Sequence, residues 1–196
     1  MKRLLVVPFV LLSFCIIADD RIILGSFERE TNDADTEEFT GETTLNGFGA
    51  RLYNFKDEGL YFGASFVFRS GDYELCAGTD CLSGDASATM FSGEIGRDLG
   101  NWTPFVGLSF TSSEVEIFGE TDSDETSSFN AGLWLELDTF KLRGALIDLD
   151  DSDSRAITGG LLFQMDNNFA LGAEFGMLLD SEVDGFRFSL QFGRKF

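Results

Sequence analysis

The sequence predicts an all-β chain that closes into a transmembrane, antiparallel, up-and-down β-barrel of ten strands, with eight as the alternative. Three observations lead there. Large apolar residues recur at every second position along most of the chain, and the residues between them are small or charged. The one long apolar run lies at the N-terminus and suits export rather than spanning.

That first element reads "MKRLLVVPFVLLSFCIIADD". Lys2 and Arg3 precede an apolar stretch from Leu4 to Ile17, followed by Ala18 and then Asp19 and Asp20. A basic start, a short apolar core and a small residue before acids are the marks of a cleaved signal peptide. Spanning a bilayer as a helix needs about 20 apolar residues, more than this run supplies. The expected organisation is therefore a signal peptide over 1–18 and one barrel domain over 19–196. Removing the leader also removes Cys15 and leaves Cys76 and Cys81 in "CAGTDC". In an oxidising compartment such a pair predicts a disulfide. A metal site would need further soft ligands, and the chain has no histidine.

The strands follow in order. In "LYFGASFVFRS" the apolar set is Leu60, Phe62, Ala64, Phe66 and Phe68. In "SSFNAGLWLELD" it is Phe129, Ala131, Leu133, Leu135 and Leu137; in "NFALGAEFGMLLD" it is Phe169, Leu171, Ala173, Phe175 and Met177. A helical period fits none of them. Ten strands are expected, over roughly 21–29, 42–54, 60–70, 87–97, 103–118, 127–137, 140–149, 155–165, 169–179 and 185–196. The first is the least regular, since Ile22, Ile23 and Leu24 do not alternate. In "TPFVGLSFTSSEVEIFGE" the apolar set runs on into Glu114 and Glu116, so the strand either outruns the membrane or carries a bulge near Ser112–Ser113. Short breaks at 56–59, 98–102, 138–139 and 166–168 alternate with longer acidic ones at 30–41, 71–86, 119–126, 150–154 and 180–184. That is a meander with tight turns at one end and looser loops at the other.

Alternation alone also describes a soluble sandwich, so the second set of residues decides the facing. It is rich in glycine, with Gly47, Gly63, Gly132 and Gly176 among others, and it carries Arg51, Arg69, Glu94, Glu136, Lys141, Arg143, Glu174 and Arg187. Small residues and opposite charges fit the inside of a narrow barrel, where charges can pair across the lumen. The large, uncharged Leu/Phe set then faces lipid, and only a closed sheet can do so without an unpaired edge. On this facing a charge placed at Leu133 meets lipid, whereas one placed at Gly132 meets the lumen.

The last strand, "FRFSLQFGRKF", ends the chain on an aromatic, Phe196. With the leader and the "TPFVGLSF" run from Thr103, it resembles the small Gram-negative outer-membrane β-barrels of the OmpA transmembrane-domain, OmpX and opacity-like group. The resemblance implies that Phe188, Leu190, Phe192 and Phe196 form the C-terminal insertion signal read by the barrel assembly machinery. Arg194 departs from that pattern, which favours an apolar residue there. It also implies a location in the bacterial outer membrane, contact with its lipid and lipopolysaccharide, and a monomer.

Some small outer-membrane barrels are enzymes, and their sites, as far as the families resemble one another, rely on a histidine. This chain has none, so no enzyme and no cofactor are expected. With 34 acidic against 14 basic residues, nucleic acid is not an expected partner. The acids gather in the longer breaks, from Glu28–Glu38 to Asp180–Asp184. Clustered carboxylates suit divalent cations, and the weak candidates for ligands are Asp148, Asp150, Asp151 and Asp153. A repulsive, hydrated crown is the plainer explanation. The expected function is a small porin-like channel or a structural barrel with acidic extracellular loops. The alternatives are a surface-interaction or adhesion barrel without transport and, beyond it, a secreted β-sandwich.

Overall fold

The computed structural model describes residues 20–36, 39–57, 59–117, 119–150, 154–179 and 183–196. The proposed signal peptide, Asp151 and Asp153 lie outside them. Ten strands run β1 (Asp20–Asp35), β2 (Thr40–Phe55), β3 (Leu60–Ala77), β4 (Asp80–Arg97), β5 (Trp102–Ile117), β6 (Glu120–Leu137), β7 (Phe140–Ile147), β8 (Ala156–Gln164), β9 (Phe169–Leu178) and β10 (Val183–Lys195). Each pairs antiparallel with its chain neighbours, and β1 closes on β10 in register from Ile22↔Lys195 to Ala34↔Val183. No open edge remains, which is the condition for a sheet to sit in hydrocarbon.

The two-residue period sets the facing. Phe27, Phe48, Phe68, Phe91, Leu108, Phe129, Leu142, Leu161, Phe175 and Leu190, one from each strand, are all exposed on the outer surface. Their neighbours of opposite parity, among them Arg51, Arg69, Arg143, Ser189 and Gln191, are buried inside. In β1 the awkward "IIL" resolves the same way: Ile23 points out, while Ile22 and Leu24 are buried inside the barrel.

Four short breaks become tight turns at one end, with Asp138 and Asn168 at positive φ and Gly100 beside Asp98. At the other end the expected loose loops are mostly strand. The segments 71–86 and 119–126 are the tips of two long hairpins, β3–β4 and β5–β6, and β1 continues through Asp35. Strands β1 to β6 hold 16 to 18 residues and β7 to β9 only 8 to 10, so one side of the mouth stands well above the other. Eight extra residues amount to about 26 Å of strand. The register of β5 with β4 steps one for one through Thr89↔Ser112, Ala88↔Ser113 and Ser87↔Glu114. There is thus no bulge, and β5 simply outruns the apolar belt.

Candidate functional site

Two places bring polar side chains together: the lumen and the tall wall above it. The lumen is stacked in layers. At the short-turn end lies an apolar layer that alternation did not announce. Ile22, Leu24, Tyr53, Phe55, Tyr61, Phe105, Trp134 and Leu162 are buried together there. The rings interlock, with Tyr53 edge-on to Trp134 at 5.0 Å between centroids, Phe55 edge-on to Trp134 at 5.6 Å, and Phe55 against Tyr61 at 4.9 Å. Lys141 Nζ sits 4.4 Å over the Phe55 ring and pairs with Glu136, closing the layer from the turn side.

Directly above the rings is a charged layer. Arg51 bridges Glu28 and Glu174, each at 3.1 Å, and Arg143 bridges the other oxygen of Glu174, at 3.1 Å, and Glu94. Glu94 also accepts a 2.6 Å bond from the Tyr61 hydroxyl, which in turn accepts one from Trp134 Nε1 at 3.0 Å. The ring layer and the charged layer are therefore one hydrogen-bonded unit. Ser26 and Ser189 donate to Glu28 at 2.6 and 3.1 Å. Higher still, Glu30 takes Arg69, Arg187 at 2.9 Å and Asn32 at 3.0 Å.

All eight lumen charges proposed from the sequence fall in these layers. Two essential members were missed. The sequence counts both Glu28 and Glu30 in the acidic cluster Glu28–Glu38, Glu28 at the end of the first expected strand and Glu30 in the break after it, but both are strand residues turned inward. The signal was available in the run Leu24, Ser26, Glu28, Glu30, set against Ile23, Gly25 and Phe27. With them, five carboxylates meet five cations. A cavity of about 50 Å³ lies among Arg51, Tyr53, Ala64, Met90, Asn130 and Glu174.

Gly132 does not offer the lumen position that the sequence suggested. A Cβ there would lie 2.4 Å from the Phe105 ring and 2.5 Å from the Gly144 carbonyl oxygen. The glycine leaves room for the ring, and even a methyl group would be in collision.

In the tall wall the facing turns over chemically. Asp72, Glu74, Asp85, Glu114 and Glu116 point outward above the belt, and Asp72↔Asp85↔Glu116 are direct cross-strand neighbours. The inner face carries Leu45, Ala86 and Ala88, with Tyr73 and Val115 packed against them. Cys76 and Cys81 face each other across the hairpin and are bonded, five residues apart around Gly78, which takes a positive φ of 65°. Their bond removes both sulfurs as metal ligands beside Glu74. Asp148 accepts from Ser128, and its own N–H is held by Asn130 at 3.1 Å; Asp150 accepts the Phe129 N–H at 2.8 Å. Both carboxylates fasten the β7–β8 connection to β6.

The C-terminal residues Phe188, Leu190, Phe192 and Phe196 share the outer face of β10, and Arg194 lies on that face too. No protein-family model matches the sequence, and no curated protein matches it. Among solved structures the chain is similar to Ail, the attachment invasion locus protein of Yersinia pestis, in complex with the heparin analogue sucrose octasulfate. The identity is 13%, over 92% of this chain and 100% of that one, with a TM-score of 0.53. It is also similar to the β-domain of the Bordetella autotransporter BrkA, at 14% identity over 91% of this chain and 100% of that one, with a TM-score of 0.50. The likeness is one of fold. Fold and apolar belt together are those of an integral outer-membrane β-barrel.

Proposed function

We propose that the protein is a non-conducting outer-membrane barrel whose working surface is the acidic wall on its long-hairpin side. The observation that carries this reading is the layered lumen. An aromatic layer locked to a charge-balanced layer fills the lumen toward the short-turn end, and this packing supports a barrel without a continuous water column. That weighs against the porin-like alternative. The absence of histidine weighs against a hydrolase of the His-dependent kind, and the reading assigns no catalysis. Ail is known with a sulfated heparin analogue. Here the wall presents Asp72, Asp85, Glu114 and Glu116, the wrong sign for such an anion. A contacting surface would have to be cationic.

Planar-bilayer recording tests the reading. The wild-type protein is expected to stay silent at high load. A Phe55→Ala/Trp134→Ala double variant, which empties the centre of the ring layer, is expected to show ion leak. Unitary conductance steps from the wild-type barrel would sink the proposal.

A further inference from the structure

At the short-turn rim, beside the β9–β10–β1 seam, two arginines stand on the lipid-facing surface without a carboxylate. Arg194 shares the outer face of β10 with Phe192 and Phe196 and is exposed. It lies opposite Phe169 on β9 and Ile23 on β1. Its guanidinium is 5.5 Å from the centre of the Phe169 ring and 6.0 Å from that of Phe196, and Phe169 is itself stacked on Phe192 at 5.7 Å. Arg21 is the residue of β1 directly across from Phe196: Phe196 N–H donates to its carbonyl at 2.7 Å, and its own N–H donates back at 3.4 Å. By parity with Ile23 its side chain is on the same outer face. Its Nε is buried and has no hydrogen-bond partner.

Arg29 and Arg97 also face outward without an ion pair among the described residues, but neither lies at the short-turn rim of this seam, and the arginines of the lumen are paired. Arg51, Arg69, Arg143 and Arg187 each meet a glutamate in the lumen. The acid nearest the seam in sequence, Asp20, is already taken by Lys195. Arg21 and Arg194 make no ion pair among the described residues. Across a hydrogen-bonded strand pair, a residue and its diagonal neighbour two positions away are within reach of long side chains. Arg21 and Arg194 stand in that relation, on either side of Phe196. A guanidinium laid against aromatic rings keeps its N–H edges free for an anion, and its planar fork matches a phosphate. The seam lies where the apolar belt ends, the level of lipid headgroups.

The geometry points to a binding site for the phosphate of an anionic phospholipid in the leaflet on the short-turn side, held by Arg21 and Arg194 over the Phe169–Phe196 shelf. The departure of Arg194 from the apolar pattern of the terminal strand then has a purpose. The acyl chains of the same lipid lie along Phe192 and Ile23, both of which are exposed on the outer surface.

The test uses the full refolded chain in nanodiscs of phosphatidylcholine with a minor fraction of phosphatidylglycerol, and native mass spectrometry of the extracted protein. Wild type is expected to retain phosphatidylglycerol over phosphatidylcholine. Each arginine lost should lower that preference by about fivefold. Arg21→Gln/Arg194→Gln should thus approach no preference, while Arg97→Gln, an exposed arginine on β4 away from the seam, should match wild type. A heat-modifiable gel shift reports that each variant is folded. Should the double variant not fold, Arg194→Lys keeps the charge but not the flat stack, and partial retention is expected of it. Equal retention by wild type and variants, or no preference in wild type, overturns the site. Displacement of the lipid by inorganic phosphate alone overturns the lipid assignment.

Discussion

Glu174 is the residue on which the lumen turns. Its two oxygens separately hold Arg51 and Arg143, so one carboxylate ties β9 to β2 and β7. Glu174→Gln leaves two buried guanidiniums short of a partner. Breaking a buried pair from one side costs about 3–5 kcal/mol, and the urea midpoint of unfolding in detergent should fall accordingly. Replacing Glu114, which stands exposed on the wall, should change it little. At this scale the sequence told the type of residue and its side of the sheet but not its partners. Arg143 and Glu94 are 49 positions apart, and only the register of the closed barrel brings them together. Gly132 shows the same limit. Its small size was legible, but the Phe105 ring lying over it was not, because that contact depends on how far two strands are staggered.

The hairpins show how composition can mislead about elements. Acid-rich stretches such as "ETDSDE" read as loops because charges are usual there, yet Glu120 through Leu137 is one strand. An alternating polar sheet in water has no apolar period for the eye to follow. What holds it is its ladder, the small cluster of Leu45, Tyr73, Ala86 and Val115 on its inner face, and the Cys76–Cys81 bond at one tip. Closing so short a loop is worth about 2 kcal/mol against opening of the tip. Cys76→Ser/Cys81→Ser is therefore expected to quicken proteinase K cleavage between Tyr73 and Leu82 and to lower the stability of the whole barrel by no more than that amount. Faster cleavage elsewhere in the barrel, or a larger loss of stability, would show that the bond supports more than the tip.

For the molecule as a whole, the closed architecture, the strand number and the facing of both sets were all legible. Each follows from local period and from parity of the chain ends. The aromatic layer was not, although its members stand in plain view: Tyr53, Phe55, Tyr61, Phe105 and Trp134 all occupy the lumen parity. A few large rings are enough to close a lumen, and so few are easily lost among glycines and ions when a set is judged by its average. The layers inside also bear on where the charge of the molecule resides. Five glutamates and five cations cancel within the lumen, so the acidic excess of 20 is carried elsewhere, much of it on the long-hairpin side. Dissolved ions screen that exposed side, whereas the lumen pairs are buried and are screened far less. Going from about 0.01 M to 0.15 M salt shortens the Debye length from about 30 Å to 8 Å. Hydrogen exchange of the β3–β4 and β5–β6 tips should slow over that range, while exchange around Arg51 and Arg143 stays as it was. Ionic strength thus addresses one end of the molecule and passes the other by.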